Sequence, residues 1–82
     1  MTVADIETAA QRRYFFLTPD EVRALALLEP ERVLLVRYGD GRALLPANEV
    51  GAAIRRREEA GGYVRDVSFP VGDRIVNGGR LA

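Results

Sequence analysis

Val33-Leu34-Leu35-Val36-Arg37-Tyr38-Gly39-Asp40-Gly41-Arg42-Ala43-Leu44-Leu45 is the stretch on which the fold turns. A nearly all-apolar run is followed by a glycine-aspartate-glycine break and a second apolar run, the pattern of a β-hairpin. Asp40-Gly41 accepts the positive φ angles of a two-residue type I′ turn, which sets Tyr38 opposite Ala43 and Val36 opposite Leu45. The first run lacks the alternation of a half-solvated strand, so it is expected at the centre of a sheet, covered on both faces. Such a strand needs neighbours, and the flanking sequence offers them.

On the C-terminal side, Pro46-Ala47-Asn48-Glu49 opens a helix reaching about Ala60. Val50, Ala53 and Ile54 line one face, and Arg55, Arg56, Glu58 and Glu59 lie largely on the other. Gly61-Gly62 ends it. Residues 63–69 alternate as a strand, with Tyr63, Val67 and Phe69 on one face together with the charged Arg65, and Val64, Asp66 and Ser68 on the other. Residues 70–73 read as a turn, 74–77 as a short edge strand and 78–82 as a flexible tail.

On the N-terminal side, Thr18-Pro19-Asp20-Glu21 is a helix start: a threonine cap, proline at the first helical position, and a glutamate three residues past the cap to close a capping box. The helix is expected to reach Leu28 and stop before Pro30, with Val22, Leu25, Ala26 and Leu28 along its buried stripe. Before it, Tyr14-Phe15-Phe16-Leu17 suits a strand, in which Phe15 cannot share a face with Tyr14 and Phe16. Thr2 caps a short helix over about residues 3–11, whose apolar content is mostly alanine, so residues 1–12 are expected to dock weakly.

These elements assemble into one α+β domain over residues 1–82. The expected architecture is a single-layer mixed or antiparallel sheet of four to five strands, two main helices packed on it and the short N-terminal helix. The strand and helix order from 14 to 69 fits the split βαββαβ arrangement of a ferredoxin-like fold. A chain of 82 residues hides only about 60 to 65 per cent of its unfolded surface. It has no cysteine to staple it, so packing or oligomerisation must supply the remaining stability.

The side chains that usually carry catalysis are missing. The chain has no His, no Cys and no Lys, and its one serine is Ser68. Asp40, Asp66 and Asp73 are the carboxylates that could form an acid–base pair, but each sits at a turn or strand surface where local structure explains it. No dense carboxylate spacing points to a metal, and neither Gly39-Asp40-Gly41 nor Asn77-Gly78-Gly79 matches a phosphate-wrapping glycine motif. The reading is therefore of a non-enzyme with no cofactor, no metal and no small-molecule substrate.

Twelve arginines balance twelve acids. Zero net charge argues against a protein that blankets phosphates, though not against a local basic patch. All the cations being arginine points to GC-rich coding in a phage or bacterial genome, and it gives any patch the planar fork suited to bidentate contacts. With no run of about 20 apolar residues to cross a bilayer and no signal-peptide pattern at the start, the expected location is cytoplasmic, or virion-internal if phage-encoded.

Two surfaces stand out. Tyr14, Phe15, Phe16, Arg57 and Tyr63 are candidates for an interface, Arg57 because it emerges at the edge of the buried stripe of its helix. Arg12, Arg13, Arg55, Arg56 and Arg65 are candidates for nucleic-acid contact, although Arg55 also has Glu58 and Glu59 within a turn. The aromatic strand, the Pro-Asp-Glu-Val step at 19–22, the Gly-Asp-Gly-Arg hairpin, Tyr63-Val64-Arg65 and Ile75-Val76-Asn77 come in an order that resembles the LytTR family of β-rich DNA-binding domains. That resemblance implies DNA binding, but this chain lacks the family's His-Arg-Ser element and inserts residues 70–74. The expected function is a non-catalytic interaction or assembly module that forms a homo-oligomer or docks on a protein partner through its sheet. The alternative is a nucleic-acid-binding domain using the arginine cluster of the second main helix.

Overall fold

The computed structural model describes residues 1–70, 75–76 and 80–81. In chain order the elements are α1 (Val3–Gln11), α2 (Pro19–Leu28), β1 (Val33–Tyr38), β2 (Arg42–Pro46), α3 (Ala47–Glu59), β3 (Val64–Ser68), β4 (Ile75–Val76) and β5 (Arg80–Leu81). β1 lies between β2 and β3 in a three-stranded antiparallel sheet, and β4 pairs with β5 in a separate ribbon. The chain is α+β; among the described residues the main sheet has three strands, not the four to five expected, and the four-stranded ferredoxin-like arrangement is not seen. The edge strand expected over 74–77 is described only at Ile75–Val76, and the tail over 78–82 only at Arg80–Leu81.

The core lies on one face of this sheet. Leu34, Val36 and Tyr38 of β1, Val67 of β3 and Phe69 meet Ile6 and Ala10 of α1, Val22 and Leu25 of α2, and Ala47 and Val50 of α3. The short N-terminal helix joins this core through Ile6 and Ala10, which are 1 % and 0 % exposed. Among the described residues no helix is long and apolar enough to cross a membrane.

Helix ends follow local chemistry. The Thr18 hydroxyl accepts from the Glu21 N–H (3.2 Å) and the Glu21 carboxylate accepts from the Thr18 N–H (2.8 Å), closing the expected box. Thr2 and Asp5 repeat the device on α1. α3 starts at Pro46 with no side-chain cap; instead the N–H groups of Ala47 and Asn48 donate to the carbonyls of Arg32 and Pro30 (2.8 and 3.0 Å). The loop after α2 thus supplies the partners that the first turn of a helix lacks. Gly61, at φ 89°, ends α3.

Three expectations need correction. Residues 14–17 do not form a strand: only Phe16 bridges to Ser68, because Tyr14 and Phe15 adopt left-handed backbone and turn the chain out of line. The hairpin is also looser than a type I′ turn. Arg37 faces Arg42, Val36 faces Ala43 and Leu34 faces Leu45, and neither Asp40 nor Gly41 has positive φ. The slip is two residues, an even number, so every side chain keeps its face. Finally, the stripe of α2 is rotated: Leu28 is 50 % exposed whereas Glu21 is buried at 6 %.

Burial pushes the Glu21 carboxyl up, but the Thr18 N–H and the Arg13 guanidinium outweigh it, leaving its pKa below the ordinary value. Both Glu21 oxygens accept from Arg13 Nη2, at 2.6 and 2.7 Å. A carboxylate depressed on folding stabilises above its unfolded pKa, and that stabilisation disappears as pH falls through the folded value. Glu21→Gln is expected to lower neutral-pH stability by about 1–2 kcal/mol, a range discounted because the Arg13 side chain is 40 % exposed. Urea titrations across the acid range should also show a shallower acid loss in the variant; an acid limb identical to wild type would remove Glu21 from this role.

Candidate functional site

The turn after α1 scatters the three aromatics. The Phe15 N–H donates to the Ala10 carbonyl (2.7 Å) and the Phe16 N–H to that of Arg13 (3.3 Å). Making this turn holds Tyr14 at φ 58° and Phe15 at φ 70°. That region costs a residue with a β-carbon about 1–2 kcal/mol. Phe15 then packs against the core, Tyr14 stands 83 % exposed, and Phe16, 37 % exposed, lies beside Ser68 at the outer edge of β3.

Because Leu34, Val36 and Tyr38 face the helices, Leu35 and Arg37 face the opposite side of the sheet. Their cross-strand partners share that side: Leu44 and Ser68 beside Leu35, Arg42 and Asp66 beside Arg37. Leu35 and Ser68 are fully covered, while Val33 at the end of the same row is 47 % exposed. The middle of this face is thus already covered within the chain, and what stays open is Phe16 at one margin, Val33 at one end and a charged row across the hairpin end.

β3 reaches this arrangement through a bulge. Val36 faces Val67 and Arg37 faces Asp66, yet Tyr38 faces Val64, so Arg65 is the extra residue. The bulge breaks the expected alternation: Val64 and Val67 both pack toward the core, and Arg65 is exposed instead of sharing their face.

The arginines fall into two groups. Arg37 donates to Asp66 through Nε (2.8 Å) and Nη2 (2.6 Å) and lies 5.6 Å from the Phe16 ring centroid. The Asp66 hydrogen bonds raise its pKa above the ordinary value against the opposing effect of burial. Arg57 lies 4.2 Å over the Tyr38 ring and 3.0 Å from Asp40, its stem crossing Gly62 where a β-carbon would come within 2.7 Å. Arg32 does the same between Phe69 (4.8 Å) and Glu29 (3.1 Å). Arg13 is held by Glu21. By contrast Arg12, Arg55, Arg56 and Arg65 are exposed and make no ion pair with the described residues.

The sequence candidates are therefore spread over several surfaces. Tyr63, 61 % exposed, lays its ring across Gly39, and Arg57 folds back on Tyr38. Of the carboxylates, Asp40 and Asp66 are each engaged by a different arginine, and Asp73 lies outside the described residues. Among the described residues no three acidic, His or Cys side chains group as around a metal ion. Sequence reasoning passed over Arg37 and Arg42; a charged residue inside an apolar strand at Arg37 was the signal that could have found them. Comparison with known proteins finds no matching family model, no similar curated protein and no similar solved structure.

Arg57→Ala removes a stack and an exposed ion pair, each worth about 0.5–1 kcal/mol. The expected result is a fold weakened by about 1 kcal/mol in chemical denaturation. Arg57→Lys should restore only part of the loss, because an ammonium cannot stack as a plane.

Proposed function

We propose that the protein is a non-catalytic association module whose docking surface is the aromatic turn at Tyr14 and Phe16 together with the exposed Val33 on the helix-free side of the sheet, and whose first partner is a second copy of the chain. The observation carrying this reading is the left-handed pair Tyr14–Phe15, with Tyr14 83 % exposed at φ 58°. The turn packs Phe15 against the core, but the Tyr14 ring that it leaves in solvent gains nothing for the isolated fold. Strain of this kind, about 1–3 kcal/mol per residue, collects where a surface is put to use. Phe16 and Val33, at 37 % and 47 % exposure, extend the apolar area on the helix-free side. Tyrosine and phenylalanine are the residue types that dominate contact energetics when such a surface is covered.

The nucleic-acid reading keeps Arg12, Arg55, Arg56 and Arg65 as exposed cations, with Arg13 already committed to Glu21. Of these four, only Arg65 has a distinguishing geometry, as the extra residue of the β3 bulge.

Sedimentation velocity over a concentration series to high micromolar tests the association. The wild type is expected to shift toward dimer with concentration. Tyr14→Gly relieves about 1–2 kcal/mol of strain. It adds about 0.5–1 kcal/mol of backbone entropy cost, so stability should hold or rise slightly while association is lost. Phe16→Ala should weaken association as well. A wild type that stays monomeric throughout, or a Tyr14→Gly variant that dimerises as well as wild type, overturns the proposal.

A further inference from the structure

A second feature, independent of the aromatic turn, lies at the hairpin end of the sheet. A cleft of about 350 Å³ is lined by Arg37, Tyr38, Gly39, Gly41, Arg42 and Arg65. We propose that this cleft is a binding site for phosphate groups, with Arg42 and Arg65 as the gripping guanidinium forks and Arg37 as a fixed cationic wall.

The register supplies the first argument. Arg37 and Arg42 are directly opposed across β1 and β2. Like charges in that position destabilise a sheet. Asp66 compensates Arg37 through two hydrogen bonds, but Arg42 makes no ion pair with the described residues. An anion between the two forks would turn the repulsion into attraction.

The bulge supplies the second. As the extra residue of β3, Arg65 escapes the strand's alternation and is aimed into the same cleft. Bulges re-aim side chains in this way beside functional sites. Three arginines thus line the cleft, and of the neighbouring carboxylates among the described residues Asp66 is held by Arg37 and Asp40 by Arg57. Arg37 is also preorganised, clamped by Asp66 on one edge and stacked over Phe16 on its face.

The third is the backbone. Gly41 has open space where a β-carbon would stand, so a ligand can approach the chain closely there. Planar forks around an accessible backbone match the geometry of a phosphate, which accepts paired N–H bonds from arginine.

The test is an amide-resonance titration of the full chain with inorganic phosphate, a nucleoside triphosphate and a short oligothymidylate, each against chloride at matched ionic strength. Saturable shifts centred on Gly41, Arg42 and Arg65 are expected. Arg42→Gln should weaken binding roughly 10- to 100-fold, as expected for loss of a charge-assisted contact. The same variant should hold or raise the urea midpoint, since it removes the like-charge pair; a residue kept only for stability would do the reverse. Arg55→Gln should bind as wild type does. If the oligothymidylate binds tightest with a steep salt dependence, the natural ligand is a phosphodiester backbone; if the small phosphates bind tightest, it is a free phosphorylated compound. Shifts that chloride reproduces, shifts centred on Arg55 and Arg56, or an unchanged affinity in Arg42→Gln would each overturn the site.

Discussion

The double pairing of β1 is the constraint on which the rest of this small structure depends. It lies between β2 and β3 and pairs along its length with both, so its backbone groups are satisfied largely without help from solvent. Its even-numbered residues Leu34, Val36 and Tyr38 then hold all three helices, while its odd-numbered residues Leu35 and Arg37 are committed to the opposite face. Placing Arg37 there obliges the neighbouring strand to provide Asp66. The helix-free face is therefore polar at the hairpin end and apolar toward Val33.

A chain whose only cations are arginines builds its surface differently from one that uses lysine. Arg32, Arg37 and Arg57 each bridge an aromatic ring and a carboxylate, so one side chain covers apolar area and satisfies a charge together. A lysine offers a point charge with no face to stack. In a domain whose core is limited by its length, such plates extend the packed region outward over Tyr38, Phe16 and Phe69.

What could be read from the sequence was what a few adjacent residues decide. The capping box at Thr18 and Glu21, the proline at the first position of α2 and the glycine at the end of α3 act within a single turn, and all three occur as expected. The faces of the hairpin were legible because side-chain alternation survives a slip of two residues. The register was not, since Tyr38 is held by Val64 of β3 and by Arg57 of α3, both distant in sequence. The bulge at Arg65 has the same origin, and so does the burial of Glu21, which follows from where α1 delivers Arg13. Tyr14 was a candidate from the sequence, but its exposure comes from the left-handed turn rather than the strand expected there, and the meeting of Arg37, Arg42 and Arg65 exists only once the register and the bulge are set.

Consistency between local preference and global fold is what gives a sequence one structure, and departures from it are informative where nothing nearby relieves them. Two departures among the described residues stand out. Tyr14 and Phe15 hold left-handed backbone without being glycine, and Arg37 and Arg42 oppose like charges across a hairpin. The second is relieved only in part, since Asp66 offsets Arg37 but not Arg42. Either could be relieved by a single substitution, glycine in the turn or a neutral residue at position 42, without disturbing a buried contact, since Tyr14 and Arg42 are both exposed. The departures also converge on one side of the sheet, for Phe16 leads out of the strained turn and its ring packs against Arg37 of the charged row. Folding alone favours removing both features, and the proposed association surface and anion cleft on the helix-free side are where their retention would have a physical use.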